Sequence, residues 1–141
     1  MKTKKIYAYI FVILIPIIFL SCSEDESTSP NNSSGEAPLA KFSEIKAKVF
    51  TNCLDAQCHS SAGNQAGLTL EPSVAYNNLV SVQSNLFSQF KRVEPGNSAN
   101  SLLIKILKGE VSPRMPFNRT ALPDATIDSI AKWIDQGAQN N

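Results

Sequence analysis

The chain has 141 residues, of which 13 are basic and 12 are acidic, for a formal net charge of +1. This balance shows no basic excess of the kind that binds nucleic acid, and the length suits one small domain. No internal repeat is visible in the sequence, which argues against a solenoid or a propeller.

The first 21 residues have the pattern of an export signal. Several lysines precede the apolar run Ile6–Leu20, which ends at Ser21 and Cys22. The run is shorter than the roughly 20 residues of a membrane span. A small residue before cysteine is similar to a lipobox, which implies cleavage before Cys22 and lipidation of its thiol. The alternative is an uncleaved N-terminal anchor, and in both cases the protein is held at a membrane.

Residues 22–41 are predicted to be a lipidated cysteine and a flexible linker. Ser27–Pro38 is rich in Ser, Asn, Pro and Gly and shows no apolar periodicity. The acidic segment Ser23–Glu26 resembles the export signals of surface lipoproteins in some Gram-negative bacteria, although such clusters are more often solvated linker. The predicted location is therefore the outer membrane, on its periplasmic side or at the cell surface. The mature chain would carry a net charge of about −2.

The strongest functional signal is Cys53-Leu54-Asp55-Ala56-Gln57-Cys58-His59. Two thiols followed directly by an imidazole are typical of c-type haem attachment, in which each cysteine forms a thioether and the histidine ligates the iron. Four residues separate the cysteines instead of the usual two, so this segment must loop or bulge. A disulfide between Cys53 and Cys58 is an alternative, but it gives no reason for His59. Zinc is a poor fit because structural zinc needs four ligands and Cys22 is assigned to the lipid.

Apolar periodicity predicts a mostly helical domain over residues 42–141 and no sheet. The predicted segments are a helix over residues 43 to about 52 with Ser43 as N-cap, a short helix over 73–80, a turn over 84–90, a helix capped by Ser98 or Asn100 that ends at Gly109, and a helix from about Asp124 to Gly137. The last helix is predicted to turn Ile127, Ile130, Ala131 and Ile134 inward.

A loop between the last two predicted helices contains Met115, the only methionine besides Met1. Its thioether could fill a gap in the core, a common role for methionine. Beside a haem motif, however, it is predicted to be the sixth ligand, because a thioether opposite a histidine favours the reduced iron. Pro113 and Pro116 stiffen this loop.

Residues 42–138 resemble a single-haem, class I-like cytochrome c domain of bacterial exported proteins. The resemblance depends on several short segments in a fixed order: Val49-Phe50, Cys53–His59, Gly67–Leu70, Val93–Gly96, Ser101–Leu103, Met115-Pro116, Trp133-Ile134 and Gly137-Ala138. Members of this kind include versions with four residues between the cysteines. The resemblance implies a small all-α fold of about four short helices around one covalent haem c, with the first and last helices crossing beside it. It implies attachment by Cys53 and Cys58 and iron ligation by His59 and Met115.

The function implied is single-electron transfer between redox partner proteins by a membrane-anchored cytochrome, without a substrate. Two alternatives stay open: a haem peroxidase or gas sensor with an open distal site, and a disulfide-bonded lipoprotein without haem. Peroxidase chemistry would also need a distal acid-base group, and the sequence has no second histidine. Arg92 and Arg114 are candidates to pair with haem propionates, although surface arginines are usually solvated.

Overall fold

The computed structural model describes residues 41–141, so the predicted signal segment, Cys22 and the linker up to residue 40 lie outside the described residues. The described part contains four α-helices: Phe42–Lys48 (α1), Ala75–Leu79 (α2), Leu102–Lys108 (α3) and Asp124–Asp135 (α4). Within this part there is no β-strand, only the isolated bridges Val80–Val93 and Gln83–Lys91. The prediction of a small all-helical fold is therefore confirmed at this level.

Helix α1 ends earlier than predicted, at Lys48, and a 3-10 turn over Phe50–Cys53 follows it. Polar side chains donate hydrogen bonds to the last carbonyls of the helix: Thr51 Oγ1 donates to Ala47 O at 2.9 Å, and Asn52 Nδ2 donates to Lys48 O at 3.2 Å. Short polar side chains compete with the backbone in this way and favour the end of a helix. The cysteine motif therefore starts in a turn that closes α1.

The predicted N-cap Ser43 is wrong. The N-cap of α1 is Lys41, which makes no side-chain capping bond. The first amide groups of the helix bind the last residue of the chain instead: Phe42 N donates to Asn141 Oδ1 and Ser43 N to Asn141 O, both at 2.9 Å. Capping from a residue 99 positions away leaves no local pattern in the sequence.

An aromatic cluster joins α1 to α4. The ring of Phe42 stacks on Trp133 with centroids 5.0 Å apart, and it meets Phe50 and Tyr76 edge-on at 6.1 and 5.3 Å. The Trp133 Nε1 group donates to Gln139 O at 2.8 Å, so the buried indole keeps a partner. The first and last helices therefore meet, as the family resemblance implied.

Helix α4 supplies much of the remaining core. Ile127, Ile130 and Ile134 are at most 2% exposed, as predicted, whereas Ala131 is only partly buried. Burial of an isoleucine of this kind stabilises a fold by about 1.5–3 kcal/mol. Through this apolar face α4 joins the core, and the helix contacts α3 and the 3-10 turn Ser98–Asn100.

The ends of α3 and α4 agree with prediction, but the start of α3 does not. Gly109 and Gly137 follow the helices with φ values of 77° and 97°, a conformation that favours glycine. Neither Ser98 nor Asn100 caps α3, since both belong to a separate 3-10 turn. The N-cap is Ser101, whose hydroxyl accepts from Glu94 N and donates to Asn97 O, both at 2.8 Å. The hydroxyl thus closes the preceding turn instead of capping the helix.

Helix α2, Ala75–Leu79, is shorter than the predicted 73–80. Residues 84–90 form no helix and are pinned by a bond from Ser84 N to Phe90 O at 3.1 Å. Leu86 in this segment is 68% exposed. This loop leads directly to residues 91–93, where Arg92 lies between the bridge residues Lys91 and Val93.

Candidate haem-attachment site

Residues 53–70, named here the cysteine loop, fold back on themselves. His59 N donates to Cys53 O at 3.0 Å, and Cys58 N donates to Asp55 O at 2.8 Å. The four residues between the cysteines therefore leave the helical path and form a closed loop. The bond between His59 N and Cys53 O brings the first and last residues of the motif together, although four residues separate its cysteines.

Cys53 and Cys58 are free thiols, both partly buried. The Sγ atom of Cys53 lies 3.6 Å from Val49 O, within reach of a weak thiol hydrogen bond. Burial raises the pKa of the Cys53 thiol, the nearby Cys58 raises it further, and the charge of Arg119 opposes both effects. A raised pKa favours the neutral thiol over the thiolate. Two reduced thiols are the chemical form that thioether attachment requires.

The imidazole of His59 is oriented by a backbone carbonyl. Its Nδ1 atom lies 3.1 Å from Leu68 O, and because a carbonyl only accepts, Nδ1 must carry the proton in this contact. In the neutral ring Nε2 is then unprotonated and can donate a lone pair to a metal. Metal-ligating histidines commonly hold their second nitrogen in this way. A second hydrogen bond, from Leu70 N to His59 O at 2.8 Å, also joins His59 to the segment that contains Leu68.

Arg92 is buried, with 7% of its surface exposed. Its Nη1 donates to Asn78 O at 2.8 Å, and its Nη2 donates to Ala66 O at 3.2 Å and to Gly67 O at 3.0 Å. Burial lowers the pKa of this guanidinium. Arg92 was a candidate partner for a propionate, but its guanidinium is already bound to backbone carbonyls.

Residues 109–120, named here the methionine loop, lie next to the cysteine loop. Met115 is partly buried against the core, and its backbone N donates to Ile106 O at 3.0 Å. Arg119 on the same loop pairs with the carboxylate of Asp55 and donates from Nη1 to Asn52 O at 3.4 Å. The structure therefore links the loop that carries Met115 to the segment that carries Cys53.

The sequence did not indicate this role for Arg119. Its partner Asp55 is 64 positions away, and nothing in the local pattern distinguishes this arginine from a solvated one. The occurrence of an acid inside the cysteine motif and an arginine four residues after Met115 was the only available signal.

Arg114 has a nitrogen without a partner. Its Nη2 donates to Arg119 O at 2.9 Å, whereas Nη1 is buried and makes no hydrogen bond among the described residues. The aliphatic part of the side chain passes close to Gly109, where a Cβ atom would lie 3.2 Å from Arg114 Cδ. A buried donor of this kind is costly to leave unpaired, so it is a natural point of contact for an anionic group.

A cleft of about 380 Å³ opens between α3 and the start of α4. Apolar and charged side chains line it: Leu107, Lys108, Arg114, Ala121, Leu122, Asp124, Ile127 and Asp128. Arg114 thus borders this cleft, whereas Cys53, Cys58, His59 and Met115 do not line it.

Residues 41–141 contain no cluster of three or more His, Cys, Asp or Glu side chains able to hold a metal ion. A haem iron has a smaller requirement, because its porphyrin supplies four nitrogen ligands and the protein supplies one or two.

No helix in the described part of the chain is long and apolar enough to cross a membrane.

Comparison with known proteins found no matching family model, no matching curated protein and no matching solved structure. The likeness to cytochromes c is therefore a prediction from the motifs, and the functional argument depends on the site itself.

Proposed function

We propose that this protein is a lipid-anchored c-type cytochrome that carries single electrons between redox partner proteins. The observation that supports this most directly is the state of His59. It follows Cys58 in the chain, its Nδ1 is engaged with Leu68 O at 3.1 Å, and its Nε2 is left as the available nitrogen. A histidine prepared in this manner beside two free thiols has the donor set of haem attachment.

The described residues fit a haem c by their chemistry. Cys53 and Cys58 are unpaired thiols that would each add across a vinyl group, so that the S–H hydrogen ends on carbon and nothing leaves. The buried Arg114 Nη1 offers an unused donor for a haem carboxylate. A bound haem would supply a one-electron ferrous–ferric couple.

The chain's own residues would hold this group and shield it. His59 would present Nε2, while the carbonyl of Leu68 keeps the imidazole in one tautomer. Met115 would present its thioether from a loop fastened to α3 through Ile106 O. The neutral thioether would favour the reduced form relative to a second nitrogen ligand.

The first test is the visible absorption spectrum of the mature chain made in cells able to attach haem c. We expect a covalent haem with sharp α and β bands after dithionite reduction, and no change on adding carbon monoxide. The variants Cys53→Ala and Cys58→Ala are each expected to retain at most one thioether, measured by the shift of the reduced α band and by mass spectrometry.

Other spectra would contradict the proposal. A high-spin haem that binds carbon monoxide would indicate an open-site enzyme or sensor. A colourless chain with a Cys53–Cys58 disulfide would indicate the lipoprotein without haem.

Anchoring is tested separately, because Cys22 lies outside the described residues. We expect the wild-type chain to incorporate labelled fatty acid and to sediment with outer membranes, and Cys22→Ser to do neither. Protease treatment of intact cells would then distinguish the cell surface from the periplasmic side. A Cys22→Ser chain that still carries fatty acid would contradict lipidation at this residue.

A further inference from the structure

The carbonyl that orients His59 belongs to a segment that is itself held by a buried cation. Arg92 donates to Ala66 O and Gly67 O at 3.2 and 3.0 Å, and Leu68, the next residue, supplies the oxygen that receives His59 Nδ1 at 3.1 Å. The guanidinium therefore binds the carbonyl of Gly67, and the carbonyl of the next residue, Leu68, accepts the hydrogen bond from the imidazole. The contacts of Arg92 join residues 25 and 26 positions apart, whereas the contact of His59 with Leu68 lies within the cysteine loop.

The guanidinium is fixed on its other side as well. Arg92 Nη1 donates to Asn78 O at 2.8 Å, at the C-terminal part of α2, so the cation spans from this helix to residues 66–67. Its own backbone is anchored, since Arg92 N donates to Val82 O at 2.7 Å and Arg92 O accepts from Leu103 N at 3.0 Å. The guanidinium thus connects α2 to the exposed residues 66–67.

The hydrogen-bond partners of Arg92 are unusual for a buried charge, because none of them is a carboxylate. Its three hydrogen bonds all go to backbone carbonyls, and no ion pair involving Arg92 is present within residues 41–141. Burying a cation without a carboxylate is costly. The guanidinium donates to these carbonyls from two nitrogens in a fixed plane, whereas an ammonium donates all of its hydrogen bonds from a single nitrogen.

We infer that Arg92 is a positioning residue for His59: it fixes residues 66–67 so that the Leu68 carbonyl holds the imidazole in one orientation. Asn78 reinforces the same segment through its side chain, since Nδ2 donates to Thr69 O at 2.9 Å. The carbonyls before and after Leu68 are therefore both restrained. The inference depends on the proposed function only in that His59 would be an iron ligand.

The diagnostic variant is Arg92→Lys, which keeps the charge and loses the fork. We expect the ring N–H of His59, followed by nitrogen-edited NMR, to exchange with solvent about tenfold faster than in the wild type. In the haem-loaded chain we expect the midpoint potential to rise, because a weaker bond at Nδ1 makes the imidazole a poorer donor to ferric iron. Arg92→Gln is expected to give the faster exchange as well.

A control variant that loses stability at a site away from Arg92 separates a positioning role from a merely structural one. Ile130→Val removes one methylene from a fully buried side chain of α4, a helix that takes no part in the side-chain hydrogen bonds of Arg92 and His59. It is expected to lower thermal stability while leaving ring exchange and potential unchanged. If Arg92→Lys behaves like this control, or if it keeps wild-type exchange, the positioning role is overturned.

If Arg92→Lys does not fold, Asn78→Ala tests the same segment from the other side. It removes the bond to Thr69 O and is expected to accelerate ring exchange by a smaller factor; unchanged exchange overturns the inference. Failure of the proposed function is distinguishable, because a wild-type chain without haem still reports ring exchange at His59. A haem-loaded wild type with variants that show no change removes the inference alone.

Discussion

The cysteine loop and the methionine loop carry complementary parts of the candidate site, but they are held in different ways. Over residues 53–65 the cysteine loop is fastened by backbone bonds between residues close in sequence, such as His59 N to Cys53 O and Gln65 N to Cys58 O, both at 3.0 Å. Its last part, residues 66–69, is also held by the side chains of Arg92 and Asn78. The first part of the methionine loop is tied to α3 by backbone bonds from Gly109 N and Glu110 N to Lys105 O and from Met115 N to Ile106 O. Its later part contacts the segment of the cysteine motif through the exposed side chain of Arg119.

This difference predicts how easily each of the two loops can move. A loop closed by its own backbone resists movement unless its main chain is deformed. A loop fastened by exposed ionic contacts can shift at little cost, because such contacts contribute modestly in water. We therefore expect the part of the cysteine loop that carries His59 to be more rigid than the part of the methionine loop that carries Arg119.

The largest effect is expected from a change that deforms the cysteine loop. In Gly63→Ala the new Cβ would lie 2.5 Å from Cys58 O and 2.7 Å from Cys58 N, both backbone atoms that cannot turn away. We expect the free energy of unfolding to fall by about 3 kcal/mol, measured by denaturant titration, with less haem attached.

The matched control is Gly96→Ala, where a Cβ meets nothing within 4 Å but φ is +80°. Strain of that kind costs about 1–2 kcal/mol. If Gly63→Ala were no more destabilising than Gly96→Ala, close packing at Cys58 would not be what holds this loop.

A smaller change in stability is expected on the methionine side. Met115 is only partly buried, so Met115→Ala should cost about 1–2 kcal/mol, below the 2–5 kcal/mol of a buried methionine. Met115→Leu keeps the volume and should cost less than about 1.5 kcal/mol. Both variants should nevertheless lose the ferric methionine-to-iron charge-transfer band. Survival of that band in Met115→Leu would show that another group ligates the iron.

The ion pair between the two loops should contribute less still. The side chains of Arg119 and Asp55 are 53% and 54% exposed, so we expect a coupling energy of at most about 1 kcal/mol. A double-mutant cycle with Arg119→Gln and Asp55→Asn, measured at low and high salt, gives this value. A coupling well above 1 kcal/mol that is insensitive to salt would mean that the methionine loop is held as firmly as the cysteine loop.

The smallest effect concerns acid sensitivity within the cysteine loop. Hydrogen bonds from Ser61, first from its side chain and then from its backbone N–H, lower the pKa of Glu71 from its ordinary value of 4.5. A lowered pKa in the fold adds stability above pH 4.5, which is lost as the pH falls through the folded value. We expect Glu71→Gln to flatten this part of the profile, measured by unfolding between pH 2 and pH 6, a range on the order of the carboxylate titration.

Ser61→Ala provides the control for that measurement. It removes the hydroxyl and keeps the backbone N–H that lies 2.8 Å from Glu71 Oε1. The expected profile is intermediate between wild type and Glu71→Gln. An identical profile in all three proteins would show that this contact does not affect acid stability.

Local sequence patterns predicted α4 and the end of α3, because apolar spacing and terminal glycines are local properties, but they misplaced the N-cap of α3. Gly109 and Gly137 mark where both helices stop, and Ile127, Ile130 and Ile134 face the core as their period requires. The same local rules failed at the start of α1, where Asn141 replaces the expected cap, since that partner comes from the far end of the chain.

In the candidate site, too, some features follow from local sequence and others only from the tertiary fold. The sequence by itself determined the order of thiol, thiol, imidazole and thioether, because a motif is a property of neighbouring residues. Tertiary structure alone decided that Leu68 accepts from His59, that Arg92 is bound to carbonyls, and that Arg119 reaches Asp55. These contacts depend on folding that brings distant backbone and side-chain groups within hydrogen-bonding distance, and no local pattern specifies such distances.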